Sequence, residues 1–265
     1  MCTLTLAWQV FDDAPVAVAA NRDESLEREA LPPDIYREEP RVVAPRDAEA
    51  GGTWIGYNEH GVFAGITNKW AADDLAGDRS RGLLVADVLE AETATEAASV
   101  LESATTDDEY DGFYLVIADE SDAYCYRWDG DLERTVFGPG VHVVVNVAVD
   151  ETVDIPSVRP DVARQQADNA RAVREALSVD TEESVTDWLE RAGDVLGDHE
   201  YGVCVHHNGF GTRSSSLIAL GGERARYAFA AGPPCRTAYE PVDLEGAPGS
   251  DATAGDAHGD VEGHI

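Results

Sequence analysis

The sequence is almost devoid of lysine. Lys69 is the only one, and every other basic residue is arginine. Over 265 residues, 52 acids stand against 19 bases, a formal net charge of −33. That balance repels phosphate backbones and anionic lipid, which argues against nucleic acid as a partner. The acids are dispersed along the chain instead of being blocked together. They therefore read as a solvating surface suited to a halophilic, salt-rich cytoplasm, where ~1 M salt screens charge within ~3 Å. The chain is accordingly expected to lose its fold in low salt. A melting temperature that stays flat from dilute buffer to molar potassium chloride would refute this.

Long apolar runs are also missing. No stretch approaches the ~20 residues a membrane-spanning helix needs. No basic segment followed by an apolar one opens the chain, so a cytoplasmic location is expected. Cysteine is scarce: Cys2, Cys125, Cys204 and Cys235 include no CxxC pair, which speaks against a zinc ribbon. Cys125 in "AYCYRW" and Cys204 in "GVCVHH" read as small strand or core residues. His206 and His207 are strand neighbours on opposite faces, and His60 falls in a turn, so no metal site is expected. No G-x-G-x-x-G or P-loop follows a strand, which leaves a nucleotide-binding fold without motif support.

What is present is an alternation of hairpins and helix pairs. "TLTLAWQV" (3–10) and "PVAVAAN" (15–21) flank the turn residues "FDDA" and read as a β-hairpin. "GGTWIGYNEHGVFAGITN" (51–68) repeats the pattern with a turn at Asn58 to Gly61. Residues 80–103 carry apolar positions at helical spacing, with Ser80 and Thr93 or Thr95 as N-caps of two helices. A strand pair at 112–119 and 123–129, a strand at 141–146 and helices at 161–177 and 182–192 follow. "GVCVHH", "SSSLIAL" and "ARYAFAA" read as closing strands. This order predicts an α+β fold of antiparallel sheets covered by helices. Residues 1–240 read as one domain, and 241–265 as an acidic, disordered tail rich in Gly, Asp and Ala. His258 and His264 in that tail read as solvated residues.

Cys2 directly follows the initiator methionine. It is small enough for an aminopeptidase to remove Met1, which would leave a thiol and a free α-amine on one residue. A turn centred near Asp12–Asp13 pairs residues summing to about 25, and so sets Cys2 opposite Asp23. A carboxylate there would orient the amine, and the neighbouring Arg22 would favour thiolate. The alternative is that "NRDE" (21–24) is a polar strand end running into a loop.

"MCT" at the start, "AANRDE" (19–24), "GGTWIG" (51–56), "GITN" (65–68), "SRG" (80–82) and "GFGTRSSS" (209–216) occur in one order. Together they resemble the NRDE family, also called the transport and Golgi organisation family. The resemblance implies the four-layer αββα sandwich of N-terminal nucleophile hydrolases, with Cys2 first in the mature chain. In bile-salt hydrolases and penicillin V acylases of that fold, the cysteine attacks an amide carbonyl and its α-amine relays the proton. Carried over by resemblance, Asp23 matches the aspartate that positions the amine, and Asn68 the oxyanion asparagine. Asn146 matches a second site asparagine, and Arg213 a late arginine near the thiol. The implied activity is cysteine amidohydrolysis of a small amide without a cofactor.

One position departs from that pattern. Those hydrolases carry an arginine three residues before the aspartate, where this chain has Ala20. Arg22 lies directly before Asp23, and adjacent strand residues face opposite ways, so Arg22 is not expected to replace the missing guanidinium. Animal relatives are linked to haem movement and to lipid or acyl-CoA metabolism. The resemblance therefore also implies a binding alternative, with Cys2 or a histidine on haem iron.

Overall fold

The computed structural model describes residues 2–70, 75–179, 182–221 and 225–243. Its elements, in chain order, are β1 (Thr3–Trp8), β2 (Val16–Ser25), β3 (Ala30–Glu38), β4 (Arg41–Asp47), β5 (Ile55–Asn58), β6 (Phe63–Asn68), α1 (Arg81–Val88) and α2 (Ala94–Asp107). These are followed by β7 (Phe113–Ala118), β8 (Ala123–Trp128), β9 (Leu132–Val136), β10 (Gly140–Val145), β11 (Ala148–Val149), β12 (Thr152–Val153), α3 (Pro160–Ala176) and α4 (Val185–Gly197). A 3₁₀ turn (His199–Tyr201) leads into β13 (His206–His207), β14 (Phe210–Leu220), β15 (Arg226–Ala230) and β16 (Glu240–Pro241). The expected tail lies outside the described residues from 244 onward.

Two antiparallel sheets are stacked. One has the order β12-β11-β10-β1-β2-β14-β15-β16, with β13 beside β14, and the other runs β3-β4-β5-β6-β7-β8-β9. Three apolar layers hold them. Leu4, Leu6, Val18 and Ile218 meet Ile55, Phe63 and Val116 between the sheets. Ala7, Ala17 and Ala19 of the first sheet meet Trp188, Leu196 and Ala170 of α3 and α4. Leu84, Val88 and Leu101 of α1 and α2 cover Val42, Ala64 and Leu115 of the second. This is the αββα sandwich.

The strand period of two is what sets up the site. Along β2, Val16, Val18 and Ala20 pack toward the opposing sheet, while Ala17 and Ala19 pack under the helices. Small residues on the helix side let α4 approach closely. Asn21 continues that face, and its buried amide donates to the carbonyls of Leu196 and Val203, both at 3.0 Å. Each such bond contributes about 1 kcal/mol net and ties the end of α4 to the site strand. Asp23 therefore belongs to the helix side and Arg22 to the inter-sheet side.

Most sequence-read elements recur. Ser80 and Thr93 cap α1 and α2, with side-chain oxygens accepting from the amides of Gly82 and Glu96. The register of the first hairpin differs from the expected one. Thr3 pairs with Asn21 and Trp8 with Val16, so paired residues sum to 24 and not 25. Extended by one residue, Cys2 falls opposite Arg22 instead of Asp23. The connection from Trp8 to Val16 is thus one residue shorter than the expected register requires; in it Gln9 adopts a left-handed conformation (φ 51°) and its amide closes onto the carbonyl of Pro15. No helix among the described residues is long and apolar enough to cross a membrane.

Candidate active site

Cys2 is half-buried where β1 leaves the sheet. Its backbone amide donates to Asn146 Oδ1 at 3.1 Å, and its thiol to the backbone carbonyl of Asp23 at 3.5 Å. Asn146 follows β10 and is buried. Its Nδ2 donates to the carbonyl of Asn68 at 2.6 Å. Asn146 is thus a clamp joining the first residue of the site to the end of β6. The backbone nitrogen that would become the α-amine is the atom it holds.

Asp23 is buried on the helix side, and its Oδ1 accepts from the Thr212 hydroxyl at 2.5 Å. Thr212 Oγ1 in turn accepts from the amide of Val205 at 2.8 Å. Burial pushes the Asp23 carboxyl above its usual range, against the opposing hydrogen bond from Thr212. Burial also pushes the Cys2 thiol up, and the Asp23 charge adds to this, while Arg22 pulls it down. Burial dominates, so the thiol stands above its ordinary value, and the Arg22 guanidinium is a minor opposing influence.

Arg22 occupies the inter-sheet side. Its guanidinium lies 4.2 Å from the ring centre of Trp54, 3.2 Å from Asp47 Oδ2 and 3.6 Å from Glu24 Oε2. Arg28 reaches the same Asp47 oxygen at 2.7 Å. Strand alternation turns Arg22 away from Asp23, the ground on which it is not expected to replace the missing guanidinium. With Cys2 opposite Arg22, that same fact brings the guanidinium to the thiol's side of the sheet. Residues 20 and 22 share a face, so Arg22 supplies a cation there in spite of Ala20.

Two cavities meet at Cys2. A cavity of about 110 Å³ lies on the inter-sheet side, walled by Arg22, Arg28, Trp54 and Arg81. A larger one of about 490 Å³ lies on the helix side, walled by Trp70, Val162, Val205, His207 and Phe210. Among the described residues, Cys2, Asp23 and Asn68 line both. Asn68 is exposed at the end of β6, so its amide is accessible from either cavity.

The loop after β4 and the start of α1 close the smaller cavity. The Thr53 amide donates to the carbonyl of Gly82 at 3.0 Å, and a Cβ on Gly52 would collide with the backbone of Gly82. The "GGT" and "SRG" segments therefore need glycine because two backbones touch there.

Arg213 is not brought to this centre. It sits at a β-bulge in β14 between Thr212 and Ser214, and its guanidinium donates to the carbonyls of Leu26 (2.9 Å) and Arg28 (3.2 Å). It lines neither cavity that contains Cys2. Thr212, one residue earlier, is the site residue the sequence reading passed over. Its only signal was membership of the "GFGTRSSS" run.

The sequence reading also expected no metal site. The fold gathers His199, Cys204, His206 and Cys235 so that one ligand atom from each lies within 4.8 Å of the others. Cys204 and His206 are two residues apart across a bend, and their donor atoms stand 3.5 Å apart; the alternation of the adjacent pair His206–His207 bears only on whether those two share an ion. Cys235 arrives from a loop that no local spacing predicts.

Comparison with known proteins agrees with this architecture. Residues 1–229 match the family described as Transport and Golgi organisation 2. The chain is 28% identical over 247 residues to the Transport and Golgi organization protein 2 homolog of Bos taurus, covering 79% of this chain and 86% of that one. It is 26% identical over 248 residues to the Homo sapiens homolog, with the same coverage of 79% and 86%. Among solved structures it is similar to penicillin V acylase from Agrobacterium tumefaciens, with TM-score 0.55 and 16% identity over 92% of this chain and 87% of that one. It is also similar to the Caenorhabditis elegans ortholog of N-acylethanolamine-hydrolyzing acid amidase, with TM-score 0.54 and 13% identity over 82% and 92%. A C2A mutant of conjugated bile acid hydrolase from Clostridium perfringens gives TM-score 0.53 and 11% identity over 92% and 93%. The fold is that of the N-terminal nucleophile hydrolases, and the chain belongs to the transport and Golgi organisation 2 family.

Proposed function

We propose that this protein is a cysteine amidohydrolase acting on a small non-peptide amide, with Cys2 as nucleophile after removal of Met1. The observation that carries this reading is the place of the thiol: it stands where two cavities meet, and it shares both with Asp23 and Asn68. The freed α-amine, held by Asn146, takes the thiol proton. Sγ then bonds to the amide carbon, and the oxygen gains a negative charge within reach of Asn68. The C–N bond breaks, and the ammonium returns its proton to the departing amine. Water attacks the resulting thioester, releasing a carboxylic acid and restoring the thiol. The similar solved structures are named as an acylase, an acid amidase and a conjugated bile acid hydrolase, which supports an amide as the bond class.

The test is intact mass combined with an acylating electrophile. The mature protein is expected to lack Met1 and to be labelled at Cys2, with no labelling in Cys2→Ala. Retained methionine would overturn the catalytic reading.

A second reading, non-catalytic carriage of haem or acyl-CoA, draws on the larger cavity. At about 490 Å³ it lies within the usual ~300–1,000 Å³ of ligand pockets. Its wall offers Cys2 and His207, both ligand types haem iron accepts, with apolar Trp70 and Phe210 and the cation Arg159 nearby. That donor set fits haem. A Soret shift on haemin titration that is lost in Cys2→Ala or His207→Ala supports carriage. The absence of any shift removes haem.

A further inference from the structure

Away from the Cys2 cavities, four soft or borderline donors converge from three separate segments. His199 lies on the 3₁₀ turn after α4, Cys204 and His206 on the chain entering β14, and Cys235 on the loop after β15. His206 Nε2 stands 3.5 Å from Cys204 Sγ and 3.2 Å from Cys235 Sγ. The His199 and His206 rings are 5.2 Å apart, edge to face. A tetrahedral site with metal–sulfur bonds of ~2.3 Å and metal–nitrogen bonds of ~2.0 Å spaces its ligand atoms about 3.3–3.8 Å apart. The 3.5 Å contact to Cys204 falls within that spacing and the 3.2 Å contact to Cys235 just below it, and every separation in the set is within 4.8 Å, so binding would draw the widest pairs together by about 1 Å.

We infer that His199, Cys204, His206 and Cys235 form a structural zinc site. Two thiolates and two imidazoles are a common structural donor set for zinc, and the two thiolates cancel its charge. In a chain with four cysteines, this one point holds two of them. Cys204 is buried while the two histidines and Cys235 are exposed, so an ion has an entry path.

The consequence for the fold is a staple. Cys235 would be tied to the chain entering β14, and that chain positions the active-site support. Val205, between two ligands, exchanges backbone and hydroxyl hydrogen bonds with Thr212, which holds Asp23. Val205 and His207 also line the larger cavity. Metal loading would therefore stiffen one wall of that cavity without adding a ligand to it.

Arg236 makes the inference specific. Its Nη2 donates to His206 Nδ1 at 2.7 Å, which leaves the ring proton on Nε2, between the two sulfurs. A metal bound at Nε2 takes that place, the ring proton moves to Nδ1, and Arg236 must withdraw. Each thiol gives up its proton on coordination.

The experiment uses the full-length protein purified under reducing conditions and titrated with cobalt(II), then zinc. The wild type is expected to develop the intense visible bands of tetrahedral cobalt bound by thiolate, to hold about one equivalent, and to lose the bands to zinc. Cys235→Ser, at an exposed loop position, is expected to lose the bands, and Cys2→Ala to keep them. Arg236→Gln is expected to bind severalfold more tightly. Absence of tetrahedral bands in folded wild type overturns the inference without recourse to any variant. So does a Cys204–Cys235 disulfide in protein isolated anaerobically, or a spectrum that Cys235→Ser leaves intact.

Discussion

The two cavities that meet at Cys2 differ in size and in chemistry. The inter-sheet cavity, at about 110 Å³, is smaller than a usual ligand pocket and is edged by three arginines with Asp47 and Glu24 among them. The helix-side cavity, at about 490 Å³, is broader and carries Trp70, Val162 and Phe210. One strand creates both, because alternation sends Arg22 to one side and Asp23 to the other. The narrow side therefore places cations beside the thiol, and the wide side offers the volume a substrate needs. Desolvation and a carboxylate raise the thiol, and a guanidinium lowers it, so neither face alone fixes its reactivity.

The sharpest way to break this division is at the boundary residue. Asn68→Ala removes the amide proposed to hold the oxyanion, and is expected to lower kcat by about 10²–10³, or about 2.7–4 kcal/mol, with little change in fold. Circular dichroism alongside single-turnover acylation separates the two effects. An unchanged rate would remove Asn68 from the mechanism.

A smaller effect is expected on the narrow side. Arg22→Met deletes the cation that pulls the Cys2 thiol down. The midpoint of the pH dependence of Cys2 alkylation should then move to higher pH, since less positive potential favours the protonated thiol. At a fixed pH below both midpoints, alkylation should slow. An unmoved midpoint would show that Arg22 does not act on the thiol. The smallest effect belongs to Arg213, which holds the carbonyls of Leu26 and Arg28 and lines neither cavity with Cys2. Arg213→Ala should leave the Cys2 pH profile unmoved and lower stability by about 1 kcal/mol, measured by urea unfolding.

Elements with a strong period or a cap were legible in the sequence. The first hairpin, the Ser80 and Thr93 caps and the alternation of hairpins with helix pairs all stand in the structure. Strands β3, β4 and β9 and the two-residue strands β11, β12 and β16 have no counterpart among the elements predicted from the sequence. β3 contains Pro32 and Pro33, forms the edge of its sheet and shifts register between Leu31 and Asp34, so it lacks clean alternation. β9 is the opposite edge and is largely exposed, which leaves no buried face to mark it. The helix at 182–192 continues to Gly197, because Val195 and Leu196 prolong its buried stripe past the polar residues where the pattern weakened.

By itself, the sequence determined the family, through the order of its motifs, and antiparallel sheets covered by helices, through hydrophobic period, because both are local properties of the chain; the αββα layering and the interest of Asn68 and Asn146 beside Cys2 and Asp23 were what the family resemblance implied. The tertiary structure decided which face each residue serves. A register differing by one residue set Cys2 against Arg22, a bulge turned Arg213 to a loop, and distant segments met as the cluster of His199, Cys204, His206 and Cys235. Register, bulges and loop convergence depend on how strands seat against one another, and no stretch of chain carries that information alone.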